Sequence, residues 1–326
     1  MKKVLGMGNA LTDILLQIDS DQVLNELYLP KGSMQLIDLI KLDEIRAVLD
    51  FTASVKATGG SASNTINGIT RLGVQAGFFG KIGRDEVGEF FRNDSIANGV
   101  TPLLGTSSNP SGNCTVLVSP DGERTLCTFL GAAAELYPEE LTASIFEGYD
   151  IFHLEGYLVQ NHSLIRKAVY LAKEAGLMVS IDLASYNVVE ENLEFLKEMV
   201  TKYVDIVFAN EEEARAFTGR EPLEALHQIA DHCKIAVVKI GKEGSFVKSG
   251  SELHVIDPFK VVSKDTTGAG DLYAAGFLYG FASDLPLDVC GKIGSLVSSK
   301  VVEVLGAKMD QKAWDDIHLK IKSFVA

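Results

Sequence analysis

Short apolar runs alternate with amphipathic stretches through most of this chain, and that rhythm restricts its fold more than any other feature. The runs are residues 4–8, 77–80, 151–154, 178–182, 206–209 and 235–240. Between them, apolar residues recur at helical spacing over 61–72, 85–98, 162–175, 193–199, 211–217 and 223–232. In the second of these, Val87, Phe90, Phe91, Ile96 and Ala97 share the periodicity, and Asp85 and Glu86 stand where a helix dipole is positive. Runs that are apolar on both strand faces need cover on both sides, and strand–helix–strand spacing of this kind builds parallel βαβ units. The prediction is an α/β fold, a mostly parallel central sheet flanked by helices, closing with helices over 269–281, 286–302 and 311–324.

Two stretches break the rhythm. Residues 115–119 and 124–130 flank Pro120-Asp121-Gly122-Glu123, a turn sequence that reads as a hairpin. Residues 14–18 and 33–39 are also strand-like. Together they predict a small inserted β-sheet, a lid built from about 14–40 and 101–130 within a single domain spanning 1–326. The alternative is that these pieces are edge strands of the main sheet. A composition 46% hydrophobic and 23% charged excludes disordered and collagen-like classes. With 30 Lys plus Arg against 44 Asp plus Glu the net charge is −14, which argues against nucleic-acid or anionic-membrane partners, since both need a basic field. An anionic ligand held by local backbone dipoles is still compatible. Cys114, Cys127, Cys233 and Cys290 show no CxxC or zinc-ligand spacing and read as reduced, buried thiols of a cytoplasmic protein. The first apolar stretch is interrupted by Asn9 and Asp13 and reads as a strand rather than a signal peptide, and no segment reaches the ~20 apolar residues of a membrane span.

The string Lys264-Asp265-Thr266-Thr267-Gly268-Ala269-Gly270-Asp271 runs directly into an apolar helix. Glycines flanking an alanine at a helix start let consecutive N–H groups converge on one point, an anion hole reinforced by the helix dipole. Asp271, in that first turn, stands where it accepts a proton from a hydroxyl attacking the bound anion. This reads as phosphoryl transfer to an alcohol; the structural alternative is a tight turn with an ordinary acidic helix start. No GxxxxGK[ST] occurs, which excludes a P-loop kinase, and no strand-linked GxGxxG with a distal acid points to a dehydrogenase.

The string resembles the DTxGAGD signature of the PfkB, or ribokinase-like, family of carbohydrate and nucleoside kinases. Gly59-Gly60-Ser61-Ala62-Ser63-Asn64, with Leu72-Gly73 after the helix, is similar to the family's N-terminal motif, so the resemblance covers essentially the whole chain. It implies a ribokinase-like fold, with ATP and Mg2+ as cofactors and a sugar or nucleoside as partner. It implies Asp271 as base, the backbone of Gly268, Ala269 and Gly270 as the phosphate hole, and Gly60, Ser61 and Asn64 at the acceptor. Asn210-Glu211-Glu212-Glu213 matches the family's NxxE, which assigns Asn210 to the nucleotide phosphates and Glu213 to magnesium through water. An acidic first turn of a surface helix is the alternative there. Lys239-Ile240-Gly241-Lys242-Glu243-Gly244 is similar to the family's GxxG nucleotide loop, with Lys239, Gly241, Gly244 and also Thr266 as nucleotide contacts; a plain hairpin turn is its alternative. Many members also use potassium, which would fall near Asp265 and Thr267.

Within that family Gly6-Met7-Gly8-Asn9-Ala10-Leu11-Thr12-Asp13 is more similar to adenosine kinases than to ribokinases or fructokinases. A carboxylate just past a strand end suits a vicinal diol, and the resemblance gives Asn9 and Asp13 the ribose hydroxyls. Glu123-Arg124-Thr125-Leu126 carries the likeness further and places Arg124 near the transferred phosphate, where a guanidinium stabilises developing charge. His153-Leu154-Glu155-Gly156-Tyr157 is similar to a segment of adenosine kinases that supplies an aromatic to stack on the base, a resemblance that implies this role for Tyr157; a core tyrosine is the alternative. Ala10 departs from a proline common in the eukaryotic enzymes, which leaves base preference open. The expected activity is transfer of the γ-phosphate of ATP to the 5′-hydroxyl of adenosine or a related nucleoside, by a monomer or homodimer, with a sugar kinase of the same family as the alternative.

Overall fold

The computed structural model describes residues 1–325. In chain order its strands are β1 (Val4–Met7), β2 (Leu11–Gln17), β3 (Met34–Leu36), β4 (Val55–Gly59), β5 (Ala76–Gly83), β6 (Val100–Ser107) and β7 (Gly112–Val118). They continue as β8 (Arg124–Phe129), β9 (Ile151–Glu155), β10 (Met178–Asp182), β11 (Ile206–Asn210), β12 (Ile235–Lys239), β13 (Ser245–Ser249) and β14 (Glu252–Ile256). The large sheet has the order β14-β13-β12-β11-β10-β9-β1-β5-β6. It is parallel from β12 to β6; β13 alone runs against it, antiparallel to both β12 and β14. This is a ribokinase-like α/β architecture with a second, small sheet.

Helices cover both faces because the parallel strands are apolar on both. Ser61–Arg71, Ala269–Ala282, Leu287–Val301 and Gln311–Val325 enclose one core with Ile66, Phe208, Phe277 and Trp314. His162–Glu174, Leu193–Lys202, Glu211–Thr218 and Pro222–Ala230 enclose the other with Phe152, Leu196 and Val207. From β1 the chain winds outward through β5 and β6 on one side, then returns to start β9 on the other. Order reverses between β1 and β9, and the crevice beyond the carboxyl ends of such strands is where an open α/β sheet receives ligands.

The small sheet, order β3-β8-β7-β2-β4, stands over that crevice. Period-two alternation sorts its residues. Leu16, Ile18, Leu117 and Cys127 pack under the segments carrying Leu24 and Ile45, while Leu11, Asp13, Arg124 and Leu126 face the cleft. The hairpin read from Pro120-Asp121-Gly122 is β7–β8, with Asn113 opposite Phe129 and Val118 opposite Arg124.

Three features differ from the sequence expectation. Residues 100–107 form β6, an edge strand paired parallel with β5, and not part of the lid; Pro102 is tolerated because that edge is free. The small sheet instead takes β4, antiparallel to β2. The strand read over 33–39 ends at Leu36, because Asp38 accepts from Lys41 N at 2.8 Å and caps the helix Leu39–Val48. The four cysteines are free, Cys233 half-buried and the others buried. Among the described residues, no helix is long and apolar enough to cross a membrane.

Candidate active site

A cleft of about 1160 Å³ lies between the two sheets, and the two glycine motifs meet in it. Gly268, in the left-handed region at φ 74°, turns the chain into the helix Ala269–Ala282 and sets Asp271 in its first turn. Ser61 Oγ donates to Asp271 Oδ1 at 2.7 Å and Asn64 Nδ2 to Oδ2 at 3.0 Å, so segments some 200 residues apart in the chain converge on one carboxylate. Thr65 Oγ1 also donates to the Asp271 carbonyl, at 3.1 Å. Enclosure pushes the Asp271 carboxyl up to about 6, against the two donors that favour its ionised form. Gly268, Ala269 and Gly270 line the cleft beside it, as do Gly60 and Thr266. Ser61 and Asn64 thus touch the carboxylate directly, besides lining the cleft.

Asn9 does not present a free amide. Its Nδ2 donates to Glu155 Oε1 at 2.5 Å, its N–H reaches the same oxygen at 3.3 Å, and Ala62 N donates to Glu155 Oε2 at 3.1 Å. Burial pushes the Glu155 carboxyl up to about 7. Asp13 lies within β2 rather than in a loop, opposite Ala57 and Cys114. Its carboxyl lines the cleft and is pushed up to about 6 by burial, with the Lys308 and Arg124 charges opposing. Among the described residues, no protein group donates a side-chain or backbone hydrogen bond to it.

Arg124 reaches from β8 across the cleft to the signature loop, pairing with the Asp265 carboxylate and donating to Thr267 Oγ1 at 3.2 Å, while its buried Nε has no partner. Asp265 also accepts from Thr267 N and Oγ1, at 3.0 and 2.7 Å, and from Gly306 N at 2.7 Å. Tyr157, in the turn after β9, forms part of the cleft wall, with its hydroxyl 3.4 Å from the Ala184 carbonyl.

At the other end of the cleft Asn210 and Glu213 form a reciprocal helix cap. Asn210 Oδ1 accepts from Glu213 N at 2.8 Å, and Glu213 accepts from Asn210 N and Nδ2 at 2.8 and 2.7 Å. Burial and the neighbouring Asp182 hold the Glu213 carboxyl well above the usual carboxylate range. Gly241 and Gly244 shape the turn between β12 and β13 and line the cleft, with Lys239 just before them. Sequence reasoning missed Glu155, Asp182 and Lys308. The first two are acids that close apolar strands, β9 and β10, and an acid at that spot is a readable sign of a crevice residue. Lys308, half-buried with its Nζ enclosed and unpartnered, leaves no such sign.

Residues 31–313 match the family model described as pfkB family carbohydrate kinase. The chain belongs to that family. Its solved structural neighbours include a "probable sugar kinase protein" from Rhizobium etli, 32% identical with a TM-score of 0.87 over 99% of both chains. They also include the adenosine kinase from Sinorhizobium meliloti, 34% identical with a TM-score of 0.86 over 98% of this chain and 99% of that one. A 5-dehydro-2-deoxygluconokinase from Listeria monocytogenes is 30% identical over 82% of this chain and 87% of its own length. The protein is therefore a phosphotransferase of the pfkB family, whose members use ATP, generally with magnesium, on small sugar or nucleoside acceptors.

Proposed function

We propose that this kinase transfers the γ-phosphoryl group of ATP to the 5′-hydroxyl of adenosine or a close relative. One observation carries the choice of acceptor. The Asp13 carboxylate, with no protein donor, lines a cleft whose lining also includes Leu11, Val116, Leu126, Leu136, Leu158 and Tyr157. A free carboxylate suits the vicinal hydroxyls of a ribose, and an apolar lining with an aromatic suits a base, which a free sugar lacks. The likeness to the Sinorhizobium meliloti adenosine kinase supports the same reading.

Asp271 takes the proton of the attacking hydroxyl, and the amides of Gly268, Ala269 and Gly270 with the Arg124 guanidinium stabilise charge on the transferred group. Gly60 and Asn9 shape the acceptor floor, Asn9 through Glu155. Asn210, Gly241, Gly244 and Thr266 line the nucleotide end. Both Glu213 oxygens are committed to Asn210, and among the described residues no three His, Cys, Asp or Glu side chains could hold a metal by themselves. That donor set fits a magnesium that Glu213 would hold through water and not directly, and that would supply charge neutralisation on the triphosphate. Four donors occupy the Asp265 carboxylate, so potassium would be left the backbone oxygens around Asp265 and Thr267.

A sugar kinase is the second reading, favoured by the engagement of the Asn9 amide with Glu155 and by the sugar kinases among the relatives. ADP release from Mg–ATP with adenosine, inosine, guanosine, cytidine, ribose and fructose separates the two. Turnover with nucleosides alone is the expected result. Turnover with a free sugar alone would transfer the acceptor site to the second reading.

A further inference from the structure

A second cation, besides Arg124, stands beside the helix turn that begins at Gly268. Lys239 closes β12 opposite Asn210 on β11, immediately before the Gly241–Glu243 turn, at the nucleotide end of the cleft. Its Nζ lies 2.8 Å from Asp182 Oδ2, and a Cβ added to Gly270 would stand 3.0 Å from that nitrogen. The ammonium is thus at contact distance from the helix turn whose amides make the hole. Both partners are largely enclosed, with side-chain exposures of 14% and 7%. Burial alone would lower the Lys239 pKa, but the Asp182 and Glu213 carboxylates outweigh it and the group stays charged. An enclosed ion pair is weak ground for stability, since apolar side chains of similar volume often serve as well. Its position beside the reacting groups gives it another use.

We propose that Lys239 is a catalytic residue that binds the transferred phosphoryl group from the donor side, and that Asp182 is the positioning residue that holds its ammonium at the hole. The proposal rests on phosphoryl transfer and is independent of the acceptor. In that step the acceptor oxygen bonds to the γ-phosphorus while the bond from phosphorus to the β–γ bridging oxygen breaks. The hydroxyl proton passes to Asp271 and the bonding pair leaves with ADP. Arg124 meets this charge from the lid and Lys239 from the body.

Calorimetric titration with ADP and with AMP-PNP, a non-hydrolysable ATP analogue, tests the assignment on the wild type and on Lys239→Met, Lys239→Arg and Asp182→Asn. Lys239→Met is expected to weaken AMP-PNP by about tenfold or more and ADP by less than about threefold. With an acceptor that turns over, its kcat should fall by ~10²–10³ with acceptor KM within a few-fold. Lys239→Arg should recover part of the AMP-PNP affinity, and Asp182→Asn should give an intermediate loss in both measurements. Equal weakening of both nucleotides, or full turnover in Lys239→Met, would overturn the proposal. If Lys239→Met does not fold, a wild-type preference for AMP-PNP over ADP retained in Asp182→Asn overturns it, and a reduced preference supports it. A wild type idle on every acceptor of the panel but with the AMP-PNP-specific loss in Lys239→Met would sink the nucleoside reading and uphold Lys239.

Discussion

Asp271 carries opposed demands within one side chain. Enclosure favours its protonated form, Ser61 and Asn64 favour the carboxylate, and the balance stands at about 6. In its proposed role as base Asp271 must be unprotonated, so kcat/KM should fall on the acid side with a midpoint near 6, and a pH–rate profile reads this directly. Asp13 is also pushed up to about 6, so a limb steeper than one proton is expected. Asp271→Asn should lower kcat by ~10²–10⁴ and leave acceptor affinity within a few-fold. The stability effect has the opposite sign. The folded carboxyl binds its proton more tightly than the unfolded one does, so ionisation between pH 3.8 and about 6 destabilises the fold, and the loss is complete above that range. Asn removes this cost, and at pH 8 the variant should melt higher than the wild type in a calorimetric scan. A lower Tm would show that the donors Ser61 and Asn64 outweigh the burial.

At the scale of elements, Gly60 shows how a short motif sets the position of a helix. It starts Ser61–Arg71 from φ 90°, and a Cβ there would collide with the Asn9 carbonyl oxygen. Gly60→Ala should therefore cost on the order of 1–3 kcal/mol and displace the Ser61 and Asn64 donors, so Tm and kcat are expected to fall together. A variant with wild-type values of both would detach this turn from the site. Motifs of this kind were legible in the sequence because their requirement is local: a glycine turn, then a helix start. The β7–β8 hairpin was legible for the same reason, through Pro120-Asp121-Gly122. The place of Asp13 within β2 is hidden in the sequence because Ile14, Leu15 and Leu16 are all apolar, which masks the alternation that begins at Leu11. Lid and edge strand are not distinguishable from the residues 101–107 themselves, because β6 gets its place from pairing with β5, a long-range choice that its own residues do not state. Glu155 and Asp182 went unread since their importance arises from sheet order, not from neighbours in the chain.

On the scale of the whole molecule, the proposed chemistry is divided between two bodies. Asp271, the amide hole and Lys239 belong to the large sheet and its helices, while Asp13 and Arg124 belong to the small one. Binding that engages both sheets should tighten the lid. Hydrogen exchange in β2, β7 and β8 is expected to slow more with adenosine and AMP-PNP together than with either alone. Equal slowing by AMP-PNP alone would mean that the acceptor takes no part in closure.

The reach of Arg124 across to Asp265 and Thr267 has one more consequence. Water is always present and is itself a nucleophile, so a kinase that completed its site on ATP alone would squander the nucleotide. On the proposed roles, a water that entered the hole with the small sheet drawn away would meet Asp271 without the guanidinium that completes the charge balance. The two sheets would then act as a two-key lock: hydrolysis would hold one key, and an acceptor large enough to touch both bodies would turn the second.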